Sequence, residues 1–222
     1  MKRQTNPILC LTGALLFLSA SLSAQDKPTG TSSLEAHIGP AWYTGHLMGI
    51  TSRADDYCNS LRKGIGWDIG YWYTGKTDGK EGVILRPGFI YQGSRFEEKQ
   101  ANGSDKILLN YLAPQIGLFF LRNNYRIQLS AGAGYQFYMD KSVVYDKPRK
   151  VSMDKPACNF ALAGEYLLTR RWGVSARCNW VLSDSERYSV VYYGEHWKVE
   201  HPDTGEGCFG QLSLTFGLNY HF

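Results

Sequence analysis

The densest grouping of side chains that could do chemistry lies near the end of the sequence, in E-H-W-K-V-E-H-P-D from Glu195 to Asp203. His196 and His201 stand there among Glu195, Glu200 and Asp203, and imidazole with carboxylate can hold a transition metal. An exposed polar loop tip explains the same residues more simply, so no metal is expected. Asp55-Asp56 near His46 is a weaker grouping of the same kind. Nucleophilic catalysis needs a His with a Ser and an acid in mutual reach, and no compact grouping of that sort is visible. His37 and His221 are expected on polar strand faces near strand ends, as hydrogen-bonding groups. The residues thus predict no catalytic site, no cofactor and no enzyme.

A second set of charges is sparse but regular. Glu35, Asp68 and Glu165, with Arg86, Arg126 and Arg177, all occupy the polar faces of alternating segments. Three acids against three arginines predict a plug of matched charge. Counting outward from the intervening turns pairs Asp68 with Arg86 and Glu165 with Arg177. Glu35 and Arg126 are expected to meet across the interior.

The elements that would position these charges are strands. Leu212 to Phe222 reads L-S-L-T-F-G-L-N-Y-H-F, with Leu212, Leu214, Phe216, Leu218, Tyr220 and Phe222 on one face. Ser213, Thr215, Gly217, Asn219 and His221 fill the other, an unbroken period of two. At about 3.3 Å per residue this strand runs roughly 35 Å, enough to cross a hydrocarbon layer at a tilt. Seven earlier segments repeat the pattern, at about 34–43, 65–73, 83–92, 108–120, 125–139, 159–168 and 172–183. Polar loops are expected at 44–62, 93–106, 140–156 and 184–207, the last alternating weakly around Gly194 as though its neighbouring strands extended there. The remaining connections are short, so the connections alternate long and short along the chain.

Ahead of the strands, Lys2 and Arg3, an apolar run from Ile8 to Leu22 and Ser23-Ala24 form a secretory signal peptide with residues 1–24 removable. Its loss takes two positive charges from a formal net charge of +4. Residues 25–33 are then a polar lead-in, and residues 34–222 one domain. No run of like charge suggests a nucleic-acid partner. Cys58, Cys158, Cys178 and Cys208 match no zinc or redox spacing, and no pairing among them is assigned.

No apolar run after the signal is long enough for a membrane helix, which leaves a closed barrel as the way to span a bilayer. The expected fold is all-β: an eight-stranded antiparallel up-and-down transmembrane β-barrel, with ten strands or a soluble lipocalin-like barrel as alternatives. Side-chain size favours the membrane form. The apolar faces carry too much Leu, Ile, Phe, Tyr and Trp for the interior of eight strands, whereas the Gly-, Ala-, Ser- and Asn-rich faces fit it. Trp and Tyr also gather near both ends of the strands, as at membrane interfaces.

By these features, and above all by the terminal Tyr220-His221-Phe222 with the signal peptide, the chain resembles the porin-like outer-membrane β-barrel domain family of Gram-negative bacteria. The resemblance implies an outer-membrane location, contact with its lipids, and recognition of Phe216, Leu218, Tyr220 and Phe222 by the barrel-assembly machinery. It leaves the task open, because this family is functionally diverse. A structural or surface-binding role is the leading expectation. Tyr192, Tyr193 and Trp197 are its candidate contacts for an extracellular ligand of unknown identity. A narrow pore for small solutes is the alternative, and an enzyme acting on lipid a more distant one.

Overall fold

A computed structural model describes residues 32–47, 49–52, 54–73, 82–101, 103–122, 124–184, 187–200 and 208–222. The signal peptide, the Asp78-Gly79 turn, His201 and Asp203 lie outside these residues. The strands are β1 (Ser32–Gly45), β2 (Lys63–Tyr73), β3 (Gly82–Gln100), β4 (Gly103–Arg122), β5 (Tyr125–Val144), β6 (Lys147–Leu167), β7 (Trp172–Asp184), β8 (Arg187–Tyr192), β9 (Glu195–Glu200) and β10 (Cys208–His221), with one helix, α1 (Asp55–Leu61). β1 to β7 pair in sequence order, each antiparallel to the next. β10 pairs with both β7 and β1, closing a ring of eight. At the β1–β10 seam the ladder runs from Gly45 opposite Phe209 to Ser33 opposite His221. Ser32 and Phe222 then exchange two backbone hydrogen bonds of 3.0 Å.

The ring turns its apolar faces outward. On β10, Leu214, Phe216 and Leu218 are 38%, 54% and 52% exposed, while Ser213 and Thr215 on either side of Leu214 are fully buried. The same holds for Ile65, Ile69 and Tyr71 on β2, for Leu112, Ile116, Leu118 and Phe120 on β4, and for Phe160 and Leu162 on β6. A soluble barrel would bury this band, so the lipocalin-like alternative is excluded. Exposed Trp42, Trp180 and Phe137 rim it towards the long connections, and Tyr73, Tyr125 and Trp172 towards the short turns.

Among the described residues there are ten strands, of which eight form the ring. β8 and β9 make a separate hairpin, turned at Tyr193 and Gly194 with φ of 59° and 79°. β8 pairs with the far end of β6, so the weak alternation there is a hairpin docked on β6 and not a prolongation of the strands that flank it in sequence.

The long connections are mostly not loops. β3 and β4 stay paired from Gly82–Leu121 to Gln100–Gly103. β5 and β6 do so out to Val144–Lys147, turning at Tyr145 and Asp146, both with positive φ. The polar segments expected at 93–106 and 140–156 are therefore strand. Alternation persists in them with its sense reversed: Phe96, Ile107, Tyr138, Val151 and Met153 point inward and are buried, while Arg95, Glu97, Lys106, Lys141 and Lys150 face out. The segment at 44–62 contains α1, which buries Tyr57 and Leu61 over the loop end of the barrel.

Candidate functional site: the closed lumen

The interior is filled in three layers. At the turn end, Glu35, Asp68, Arg86, Arg126, Glu165 and Arg177 all point inward and are at most 9% exposed. Their pairing differs from the one counted out from the turns. Arg177 bridges Glu35 and Asp68, donating from Nη2 to Glu35 Oε2 and from Nη1 to Asp68 Oδ1 at 2.9 Å. Glu165 meets Arg126, directly opposite on β5, at 3.7 Å, and also His221 Nε2 at 2.6 Å. Arg126 Nη1 donates to His221 Nδ1 at 3.0 Å.

Register explains the first change. Gly88 is already opposite Trp72, the last but one residue of β2. Arg86 therefore lies past the end of that strand, while Asp68 stands opposite Gln92. Arg86 instead lays its guanidinium over the Phe119 ring, 4.5 Å from the centroid, and its Nε makes no hydrogen bond among the described residues. Glu165 and Arg177 are diagonal on β6 and β7, with Ala163 opposite Arg177. Arg177 turns away because two carboxylates across the lumen offer it more than one.

The same layer holds a grouping that the sequence did not reveal. His37 Nδ1 lies 2.7 Å from Asp68 Oδ1, and His37 Nε2 lies 2.6 Å from Ser175 Oγ. This is the connectivity of a serine–histidine–aspartate triad. Its bonding argues for a strut and against a nucleophile. Ser175 Oγ donates to Asn219 Oδ1 at 2.8 Å, so its proton is directed to the amide and not to the imidazole. Asp68 is further held by Arg177 and by Thr215 Oγ1 at 2.8 Å. On the lumen side the void bounded by Glu35, Arg126, Glu165, Ser175 and Arg177 is about 10 Å³, the space of one water. The larger groove that Ser175 lines, about 660 Å³, is walled mostly by outer apolar residues such as Ile127, Val174 and Phe216 and is lined by neither His37 nor Asp68. His37 and Asp68 are direct cross-strand partners on β1 and β2, which register alone would have shown. Ser175 comes from β7, which is separated from β1 by β10 alone.

Trp72 completes the layer. Its indole is fully buried, donates to Glu35 Oε2 at 3.0 Å and meets Phe119 edge-on at 5.2 Å. It fits because Gly88 and Gly117 face it, where any Cβ would run into the ring.

Above lies an uncharged layer. Gln92 donates to Ser213 at 3.0 Å, Asn159 to Asn179 at 3.0 Å, and Gln115 and Tyr111 both donate to Asn159 Oδ1, at 2.7 and 3.0 Å. The loop end is then apolar. Tyr43, Phe96, Ile107, Leu109, Tyr138, Val151, Met153 and Phe209 pack together under Tyr57 and Leu61 of α1.

One polar cluster tops that core, outside the apolar belt. Asp105 accepts from Tyr57 OH at 2.7 Å and pairs with Arg149 at 3.3 Å. Arg149 also reaches Asp140 at 3.5 Å. Two buried carboxylates thus share one guanidinium. Burial, and after it the neighbouring Asp105, push the Asp140 carboxyl up to about 7.

Tyr192 and Tyr193 meet edge-on, with ring centroids 5.4 Å apart. Tyr192 is half-buried on the inward face of β8, Tyr193 sits at the turn with Lys147 Nζ 4.5 Å from its ring centroid, and Trp197 lies opposite Val190. His196, on β9, faces outward beside Val191. Among the described residues no cluster of three or more potential metal ligands occurs. Phe216, Leu218 and Phe222 are exposed on the outer wall, and Tyr220 stacks on Phe222 at 5.9 Å.

No protein-family model matches the sequence, and no curated protein matches it. Solved structures do resemble the fold. Neisserial surface protein A aligns over 86% of this chain and 97% of its own, with a TM-score of 0.52 at 11% identity. A major outer membrane protein from Thermus thermophilus aligns over 86% and 98%, with a TM-score of 0.57 at 12% identity. The outer membrane protease OmpT from Escherichia coli aligns over 91% and 99%, with a TM-score of 0.50 at 9% identity. The fold is therefore that of the small outer-membrane β-barrels, an architecture whose members differ in what they do.

Proposed function

We propose that this protein is an integral outer-membrane β-barrel, exported by its signal peptide, that closes its own lumen and holds its loop end outside the cell in a structural or surface-binding role. It is neither a general pore nor an enzyme. One observation carries the reading: a charged layer, an amide layer and an apolar layer fill the interior in series, and α1 covers the last. A water-filled channel needs a continuous polar path, and the packed side chains around Phe96, Ile107, Tyr138 and Phe209 interrupt it. The exposed apolar belt, rimmed by aromatic residues, supports the membrane location. The engagement of Ser175 by Asn219, and of Asp68 by Arg177 and Thr215, supports a non-catalytic role for that trio. Planar-bilayer recording tests the closure. Wild-type protein is expected to give no stable porin-sized steps, and such steps would overturn the reading in favour of a pore.

A further inference from the structure

Beyond the apolar belt, the outer wall carries two lysines in direct opposition. On the β5–β6 hairpin Lys141 is the cross-strand partner of Lys150. Both are exposed, and they face out because Asp140, Ser142 and Val151 beside them are buried inside. Like charges directly opposite one another weaken a sheet. The neighbouring cations are placed differently: Lys106 and Arg95 share Glu97, at 3.1 and 2.6 Å, and Arg187 holds Glu200 at 3.1 Å. Among the described residues no ion pair joins Lys141 or Lys150 to a carboxylate. The row continues from Lys150 through Val191 to His196, and the row beside it runs from Ser152 through Ser189 to exposed Lys198.

Height identifies what these cations meet. Phe137, at the upper rim of the belt, is 45% exposed on the same face of β5. Lys141 is four residues further on, about 13 Å along the strand and, at the usual tilt, about 10 Å in height. The polar layer over the hydrocarbon is about 5–7.5 Å deep on each side, so the Lys141 backbone stands just above it and the long lysine stem can lean back to place its ammonium group among the headgroups. Lipid phosphate supplies there the negative charge that the protein leaves out.

We propose that Lys141 and Lys150, flanked by Lys198, are a docking surface for the phosphate groups of the lipid leaflet around the loop end. The inference rests on the membrane reading above, and the test separates the two. Protein refolded into phosphatidylcholine vesicles would be compared with protein in the same vesicles containing bis-phosphorylated lipid A or its dephosphorylated form. Lipid retained after detergent extraction would be counted by native mass spectrometry. Wild type is expected to retain the phosphorylated lipid several-fold more than the dephosphorylated one, Lys141→Ala/Lys150→Ala to lose that preference, and Lys147→Ala to keep it. Lys150→Glu sets an opposite charge against Lys141, so the hairpin should resist protease better than wild type without phosphorylated lipid and gain nothing when it is added. Equal retention of the two lipids, or a preference that survives the double substitution, would overturn the proposal. So would tighter binding of a soluble sulfated polysaccharide at the same lysines. Failure to enter bilayers at all would instead remove the membrane reading.

Discussion

Around Arg177 the barrel is apolar outside and charged inside; around Phe96, one layer of amides further along, it is charged outside and apolar inside. The same strands do both. β5 shows Ile127 and Leu129 on its outer face at one end and Lys141 at the other, while its inner face passes from Arg126 to Tyr138. Period-two alternation is continuous and only its polarity inverts, at the level of Trp42, Phe137 and Trp180. The surrounding medium sets that inversion. Against hydrocarbon an outward charge is costly, so polar groups must be satisfied inward. Against water the ordinary hydrophobic effect applies and the interior becomes a core. On the proposed membrane placement, the same strands carry a lipid-facing barrel and a small water-facing β-domain.

The comparison is broken most severely in the charged half. Arg177→Ala leaves Glu35 and Asp68 facing one another without their shared cation, and removing one member of a buried ionic group typically costs about 3–5 kcal/mol. Urea unfolding in bilayers should show this loss. It should also show coupling between Glu165→Ala and Arg126→Ala, whose losses are expected to be less than additive; strict additivity would mean that the pair seen here is not formed. A change of medium comes next. Leu214→Arg on the outer belt should cost about 2–4 kcal/mol, measured in the same way. Val143→Arg, on the outer face at the loop end, is expected to cost far less. Similar costs at both sites would abolish the distinction between the halves.

The apolar half is sharpened by pH. The folded-state carboxyl of Asp140 lies near 7, above its value of about 4 in an unfolded chain. Its contribution to stability is then fully present below about pH 4 and is lost as pH rises towards 7. Protection factors of amides in α1 and the outer β5–β6 hairpin, with the intrinsic pH dependence of exchange divided out, should fall across that window, whereas in Asp140→Asn they should stay almost constant. The smallest effect concerns the β8–β9 turn. Gly194, at φ 79°, adopts a backbone that alanine resists, and Gly194→Ala should cost about 1 kcal/mol. Limited proteolysis should detect it as faster cutting within 187–200, with the eight-stranded ring unchanged.

Much of the turn half was legible because one rule, apolar outward and small or polar inward, held from Leu34 to Leu218. That rule placed the six lumen charges on inward positions. It did not fix their partners, because a guanidinium reaches across a lumen as readily as along a hairpin and the offset between β2 and β3 is hidden in a turn. The loop half was hidden by applying that rule too far. A segment such as K-S-V-V-Y-D-K-P-R-K-V-S-M looks like loop when outward apolar residues are sought, and like strand once Lys141 and Lys150 are allowed to face out. The Ser175–His37–Asp68 trio was illegible for a third reason: its members come from three strands, and α1 interrupts the connection from which the β1–β2 register would have been counted.

The seam between β1 and β10 bears on the order of assembly. Every other junction of the ring joins strands made one after the other except that of β10 with β7, and each can zip from its own connection. Ser33 and His221 are held together only after almost the whole strand sequence has emerged, so ring closure waits for the last strand. Until then both edge strands present unpaired backbone, which in hydrocarbon has no partner. Insertion and closure must therefore be nearly simultaneous, and a half-made barrel cannot wait in the bilayer as an intermediate. A chain built this way would gain from an external template that covers one open edge while the other is still arriving.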